Sequence, residues 1–155
     1  ENATMDMNHD DAASLEQLAE QYIALAGGSL TVSSMALLDG NRLTLLAYVI
    51  FRREMLEGGM IQLIHNGYGP FIFENPFAKA MRIWGLKDFS KFIYSCRKLY
   101  EKYGEVLTAD CTDEEFMALY EQYEAFDEMD DEFVESEPQW TAAIAAYVGG
   151  HRNLF

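Results

Sequence analysis

The chain has 155 residues, half of them hydrophobic, and a formal net charge of −15. A chain of that length can bury one good core, and one domain is the default. The acid excess argues against direct nucleic-acid binding, which needs Lys and Arg to displace counterions, and against anionic membrane surfaces.

Residues 1–12 are polar without periodicity and are expected to form a disordered tail, with a single helical domain over 13–155. Ser14 can cap a helix through Ala26, with Glu16 near its positive end. Leu15, Leu18, Tyr22 and Leu25 mark its buried stripe, and Gly27-Gly28 its stop. Leu30 to Leu38 reads two ways, as an extended Thr-Val-Ser-Ser segment or as a short turn capped by Ser33 or Ser34. Asp39 or Asn41 then starts a central helix that runs to Glu57. Its stretch Leu45 to Phe51 is apolar all round, as in a helix covered on several sides. Val49 and Ile50 permit a strand, but the length without Gly or Pro favours the helix. The same run is the longest apolar one, well short of the ~20 residues of a bilayer span.

Glu57 to Pro70 packs four glycines and a proline around Met60, Ile61, Leu63 and Ile64. The pattern predicts that Gly58-Gly59 ends the long helix, that Met60 to His65 forms a short buried one, and that Asn66-Gly67 stops it. Gln62 and Asn66 fall four apart on one face, where their amides can tie neighbouring backbone together. Asn75-Pro76 reads as a cap followed by proline at the first helical position, opening a helix that ends at Gly85. Over residues 87–103, Phe89, Phe92, Ile93, Cys96, Leu99, Tyr100 and Tyr103 form one stripe, opposite Lys91, Ser95, Lys98 and Lys102. Gly104 closes that helix. Thr112-x-x-Glu115 is a capping box, followed by an inward line of Phe116, Leu119, Tyr120 and Tyr123. Phe126, Met129 and Phe133 carry a stripe onward through the acidic segment. Glu137-Pro138 is read as the start of a last helix, with Trp140, Ile144, Tyr147 and Val148 inward and Gly149-Gly150 at its end. The expectation is an all-α single globular domain of about seven or eight helices around a buried central helix and the Gly-Gly hub.

Charge is unevenly distributed. Residues 101–137 carry fifteen acids against the single Lys102, a net of −14, whereas 38–100 carry nine bases against five acids. On a helix, Glu124/Glu128, Asp127/Asp131, Glu128/Glu132 and Asp131/Glu135 are like-charge pairs, each costing roughly 0.2–0.5 kcal/mol. One reading is a solvated face that keeps the protein in solution. The other is an anionic surface made for a partner, because solubility alone does not require charge placed where it opposes its own helix. A duplex carries a phosphate every ~3.4 Å along each strand, and a four-residue helical step advances ~6 Å. One row of carboxylates is therefore too sparse to imitate DNA; two rows or two acidic helices come close.

Other chemistry is poorly supported. No cofactor motif is legible, and Asp127 to Glu132 lacks the glycine and alternate ligands of a calcium loop. His9, His65 and His151 are scattered, and Cys96 and Cys111 lack ligand spacing, so no metal site is expected and both thiols read as free in a reducing cytoplasm. With no signal-peptide pattern, cytoplasmic residence is the expectation. A catalytic reading would centre on His65 beside Glu54, Glu57, Gln62 and Asn66, but a lone His there is more often structural, and no enzyme is expected.

The segment Phe51-x2-Glu54-x2-Glu57-Gly58-Gly59-x2-Gln62-x2-His65-Asn66 resembles the E-x-x-x-GG-x-x-Q-x-x-x-N signature of a bacterial domain-of-unknown-function family. The name-giving member of that family is a DNA-mimic protein. Asp130-Asp131-Glu132-Phe133 is similar to the family's acidic segment, and the resemblance spans roughly residues 43–148. It departs from the pattern at the insertion-like Tyr68 to Pro76, whose backbone stays open. The resemblance implies structural roles for Glu54, Gly58, Gly59, Gln62 and Asn66. Together with the charge, it implies an acidic protein that docks on a basic DNA-binding protein and blocks it. The contacting acids would be Glu114, Glu121, Glu124, Asp127, Glu128, Asp130, Asp131, Glu132 and Glu135. The alternatives are an immunity-type inhibitor of a basic toxin such as a nuclease, and an acidic domain with no mimicry role.

Overall fold

The computed structural model describes the backbone of residues 2–155, and their side chains except those of 2–9 and Val32. Among the described residues the chain is helical with no strand. In order it forms α1 Asn2–Leu25, α2 Val32–Met35, α3 Gly40–Glu57, α4 Gly59–His65, α5 Gly69–Phe73, α6 Phe77–Ile83, α7 Lys87–Thr108 and α8 Asp113–Gln122. A 3-10 turn, η1 Glu124–Phe126, leads into α9 Asp127–Gly150, and η2 Arg152–Leu154 follows. Among the described residues the α-helices number nine against the expected seven or eight, because 32–35 and 69–73 each close a short helix. Two compact units are formed, residues 1–50 with 137–155 and residues 51–136. No helix among the described residues is long and apolar enough to cross a membrane.

In the first unit α1 buries Leu15, Ala19 and Tyr22, and its last residue Leu25 is 70% exposed while Ala26, just past its end, is buried. α1 runs from Asn2, through the stretch expected from sequence to be a disordered tail; Ser14 lies inside the helix and not at its start, and Glu1 is outside the described residues. Leu30 to Leu38 resolves into α2, whose cap is Thr31: its hydroxyl accepts Ser34 N–H at 3.0 Å while Ser34 Oγ accepts Thr31 N–H at 2.7 Å. Asp39, not Asn41, caps α3, accepting Arg42 N–H at 2.9 Å. Leu45 to Phe51 is buried on every side, as its unbroken apolarity requires. The fully buried Tyr48 hydroxyl meets Thr141 Oγ1 at 2.6 Å, and Thr141 donates in turn to Glu137 at 2.6 Å. Each buried polar group in that chain is thereby satisfied.

The last helix does not start at Pro138. α9 continues through it, because Pro138 is exposed and the carbonyl it leaves unpaired can turn to water.

The second unit is built on α7, against which α4, α5 and α6 pack. Phe89, Phe92, Ile93 and Cys96 of α7 are buried, and Lys91, Lys98 and Lys102 are exposed, as the stripe predicts. Phe51 sits among aromatic rings, edge-on to Phe133 at 5.3 Å and to Phe89 at 5.8 Å, with Phe77 at 6.3 Å. α6 begins one residue later than expected, with Pro76 at the cap and Asn75 donating instead to Phe71 O at 2.9 Å. Gly104 does not end α7. It is buried inside the helix, and a Cβ there would fall 2.9 Å from the Tyr100 ring. Gly69, at the start of α5, would put a Cβ 2.8 Å from Tyr100 Cζ. Both glycines make room for one tyrosine. Tyr100 is tied in place by a 2.9 Å hydrogen bond to Glu74; burial first, and then that bond and the Glu74 charge, push its hydroxyl up to about 12. Both cysteines are free thiols.

Candidate partner-binding face

The acidic segment begins at one capped helical start. Thr112 Oγ1 accepts Glu115 N–H at 3.1 Å, and Glu115 Oε1 accepts Thr112 N–H at 3.0 Å, closing the capping box that opens α8. The Thr112 N–H bond, helped by the Thr112 side chain, also holds the Glu115 carboxyl below its ordinary range. α8 has no fully buried residue; Phe116, Leu119, Tyr120 and Tyr123 are half-buried and its acids face water. The chain then tightens into η1, where Phe126 is fully buried and anchors the turn before α9. Asp127, Glu128 and Asp130 fall in the first turn of α9, where the positive helix end offsets part of their mutual repulsion. Glu124 lies in the 3-10 turn and so drops out of the i,i+4 series expected with Glu128.

Eight of the nine acids singled out from sequence are exposed: Glu114, Glu121, Glu124, Asp127, Glu128, Asp131, Glu132 and Glu135. They are shared between α8, η1 and the first turns of α9. Asp130 is different. It is half-buried, and its Oδ1 accepts the N–H of Met60 at 2.9 Å. Burial pushes its carboxyl up to about 6; the Met60 N–H pulls it down, while Asp127 and Asp131 push it further up.

That hydrogen bond joins the acidic segment to the glycine hub. Gly59 sits at φ +76°, a conformation that L side chains rarely adopt, and a Cβ on it would fall 2.6 Å from Asp130 Cγ. A Cβ on Gly58 would fall 2.7 Å from Gln62 Cβ. Tyr120, which sequence assigns only to the core line, reaches from α8 to donate to Gly58 O at 2.8 Å. At the other end of α4, Asn66 Nδ2 donates to the buried Glu54 at 2.6 Å. Gly67 at φ +85° lets the N–H groups of Gly67 and Tyr68 return to the carbonyls of Ile64 and Leu63. Gly59 and Gln62 thus lie in α4, Gly58 and Asn66 cap its two ends, and Glu54 is tied to it through Asn66.

His65 is occupied as well. Its Nδ1 lies 2.9 Å from Leu107 O, a carbonyl that only accepts, so Nδ1 carries the proton. Its ring packs 4.8 Å from Phe116. A groove of about 720 Å³ opens elsewhere in this unit, beside Pro70, Glu74, Tyr100 and Glu105, and His65 does not line it. Among the described residues no three His, Cys, Asp or Glu side chains converge as a metal site would need.

A family model described as DMP19-like protein matches residues 36–151. Over 123 residues, 79% of this chain and 74% of the relative, the sequence is 30% identical to DNA mimic protein DMP19 of Neisseria meningitidis serogroup B, strain ATCC BAA-335 / MC58.

Proposed function

The chain belongs to the DMP19-like protein family, and from that premise we propose that it is a DNA mimic acting without catalysis. It docks the acids of α8, η1 and the first turns of α9 on a basic DNA-binding protein in the cytoplasm and blocks it competitively. The observation that supports this most is the exposure of eight of the nine acids singled out between Glu114 and Glu135, against one base in the whole of residues 101–137. Carboxylates so placed can pair with the Arg and Lys that otherwise hold phosphates, and charge of one sign gives fast, salt-sensitive association.

Asp127, Glu128 and Asp131 are the acids to alter, since their side chains are exposed on one short stretch of α9. The test is capture from host lysate at low salt, eluted with a rising salt gradient and identified by mass spectrometry. The triple variant Asp127→Asn, Glu128→Gln, Asp131→Asn is run beside the unaltered chain. A DNA-binding protein captured by the unaltered chain and lost, or eluted at much lower salt, from the variant is the expected result. Equal capture and equal elution would remove the acidic face from the function.

A further inference from the structure

We infer that Asp130 is the positioning residue of the acidic face: its carboxyl group seats the first turns of α9 on the Gly58-Gly59 corner through Met60 N–H, and the protonated fraction ionises, releasing its proton to solvent, as cations settle on Asp127 and Asp131. This rests on the reading above, in which the face takes up Lys and Arg of a partner.

The geometry carries it. Asp130 accepts Met60 N–H at 2.9 Å, one of the donors that the start of α4 leaves without a helical partner. It also fills the space that a side chain at position 59 would need. Tyr120 holds the same corner from α8 through Gly58 O at 2.8 Å. Asp127 and Asp131, three residues before it and one after, are exposed. A contact residue needs a free carboxylate; Asp130 has already committed one oxygen to the hub.

Its charge is nonetheless felt by that face. Burial raises the Asp130 carboxyl to about 6, opposed by Met60 N–H and reinforced by Asp127 and Asp131. From the packed elements, Tyr120 on α8 and Cys96 on α7 are each raised first by burial and then by Asp130; Glu54 on α3 adds to the effect on Tyr120 and Glu132 to that on Cys96. The folded chain therefore holds the Asp130 proton more tightly than the unfolded chain does. That contribution to stability is complete below about pH 4 and is lost as pH rises through about 6. A cation against Asp127 or Asp131 offsets their repulsion of Asp130 and lowers its pKa. By linkage, cation binding then releases the proton and tightens as pH rises through the same window.

The probe is an oligoarginine peptide of about eight residues, titrated calorimetrically at low salt between about pH 5 and 7.5 in two buffers of different ionisation enthalpy. The full chain is expected to bind about three- to tenfold more tightly above the window than below it, a tenfold step being one unit of pKa change, and to release protons. Asp130→Asn keeps an acceptor for Met60 N–H and is expected to bind without that step and without proton release. Asp130→Ala removes the acceptor and is expected to melt lower and bind more weakly than the Asn variant. Asp130→Asn showing the same step and proton release as the unaltered chain would overturn the inference. Thermal melting tests the Asp130 proton with no partner present. The melting temperature of the unaltered chain should fall relative to that of Asp130→Asn as pH rises through the window, and parallel profiles would overturn Asp130's part. No peptide binding by the unaltered chain sinks the exchange together with the reading it rests on, whereas binding with no pH step sinks the exchange alone.

Discussion

Gly59 is the residue on which two distant motifs meet. Its φ of +76° costs any other residue about 1–2 kcal/mol, and a Cβ would run into a carboxylate that is itself hydrogen-bonded and not free to swing away. Gly59→Ala is therefore expected to destabilise the chain by roughly 2–4 kcal/mol, read from chemical denaturation. A loss under about 0.5 kcal/mol, the usual range of a surface change, would mean the corner yields easily. The glycine pair was legible as a hub, because glycines that bracket a short apolar run mark sharp turns made at the edge of a core. Its partner was hidden among acids that local composition treats alike. One signal would have found it: Phe126, Asp130, Phe133, Glu137, Thr141, Ile144 and Val148 recur at steps of three and four, so Asp130 lies on the inward face of its helix. Phe126, Phe133, Thr141, Ile144 and Val148 are buried, and Asp130 and Glu137 half-buried. Carboxylates on that stripe are held by hydrogen bonds, and those off it face water.

α9 shows how an element escapes a sequence reading. Pro138 after Glu137 has the pattern of a helix start, yet the helix runs 24 residues through it. A proline on an exposed face forfeits one internal hydrogen bond without burying the carbonyl it strands, and the inward stripe passes it unbroken. Pro138→Ala is expected to stabilise the chain by about 1–3 kcal/mol, seen as a higher melting temperature; a lower one would show that the proline shapes the helix. Gly104 misleads for the opposite reason. Glycine inside a helix usually weakens it, but here it admits the ring of Tyr100 one turn earlier. Such tertiary needs leave no local trace. The capping box of α8, the buried run of α3 and the polar-apolar split of α7 were legible because each is a contact within one helix or a single face toward one core. Which acids stay exposed depends on packing from other helices, and only the stripe hints at it.

Across the whole molecule, charge gives the chain its character. The net of −15 is nearly matched by the −14 of residues 101–137 alone, so the charge is concentrated from the end of α7 through α8 and η1 into the acidic first half of α9. Association through such a region should weaken steeply with salt, since exposed charges are screened beyond about 8 Å at physiological ionic strength. Family membership and exposed acids both favour DNA mimicry, and mimicry makes a sharper demand than acidity does: the partner must be unable to hold duplex and mimic together. The decisive measurement is a competition titration, with a labelled duplex site, the captured DNA-binding protein and increasing amounts of this chain. Mimicry predicts that the apparent Kd for duplex rises in proportion to the added chain without limit, and that no complex of all three forms. A plateau, or a ternary species in sedimentation, would contradict it, because the acidic face would then be binding beside the DNA surface and not in place of the DNA.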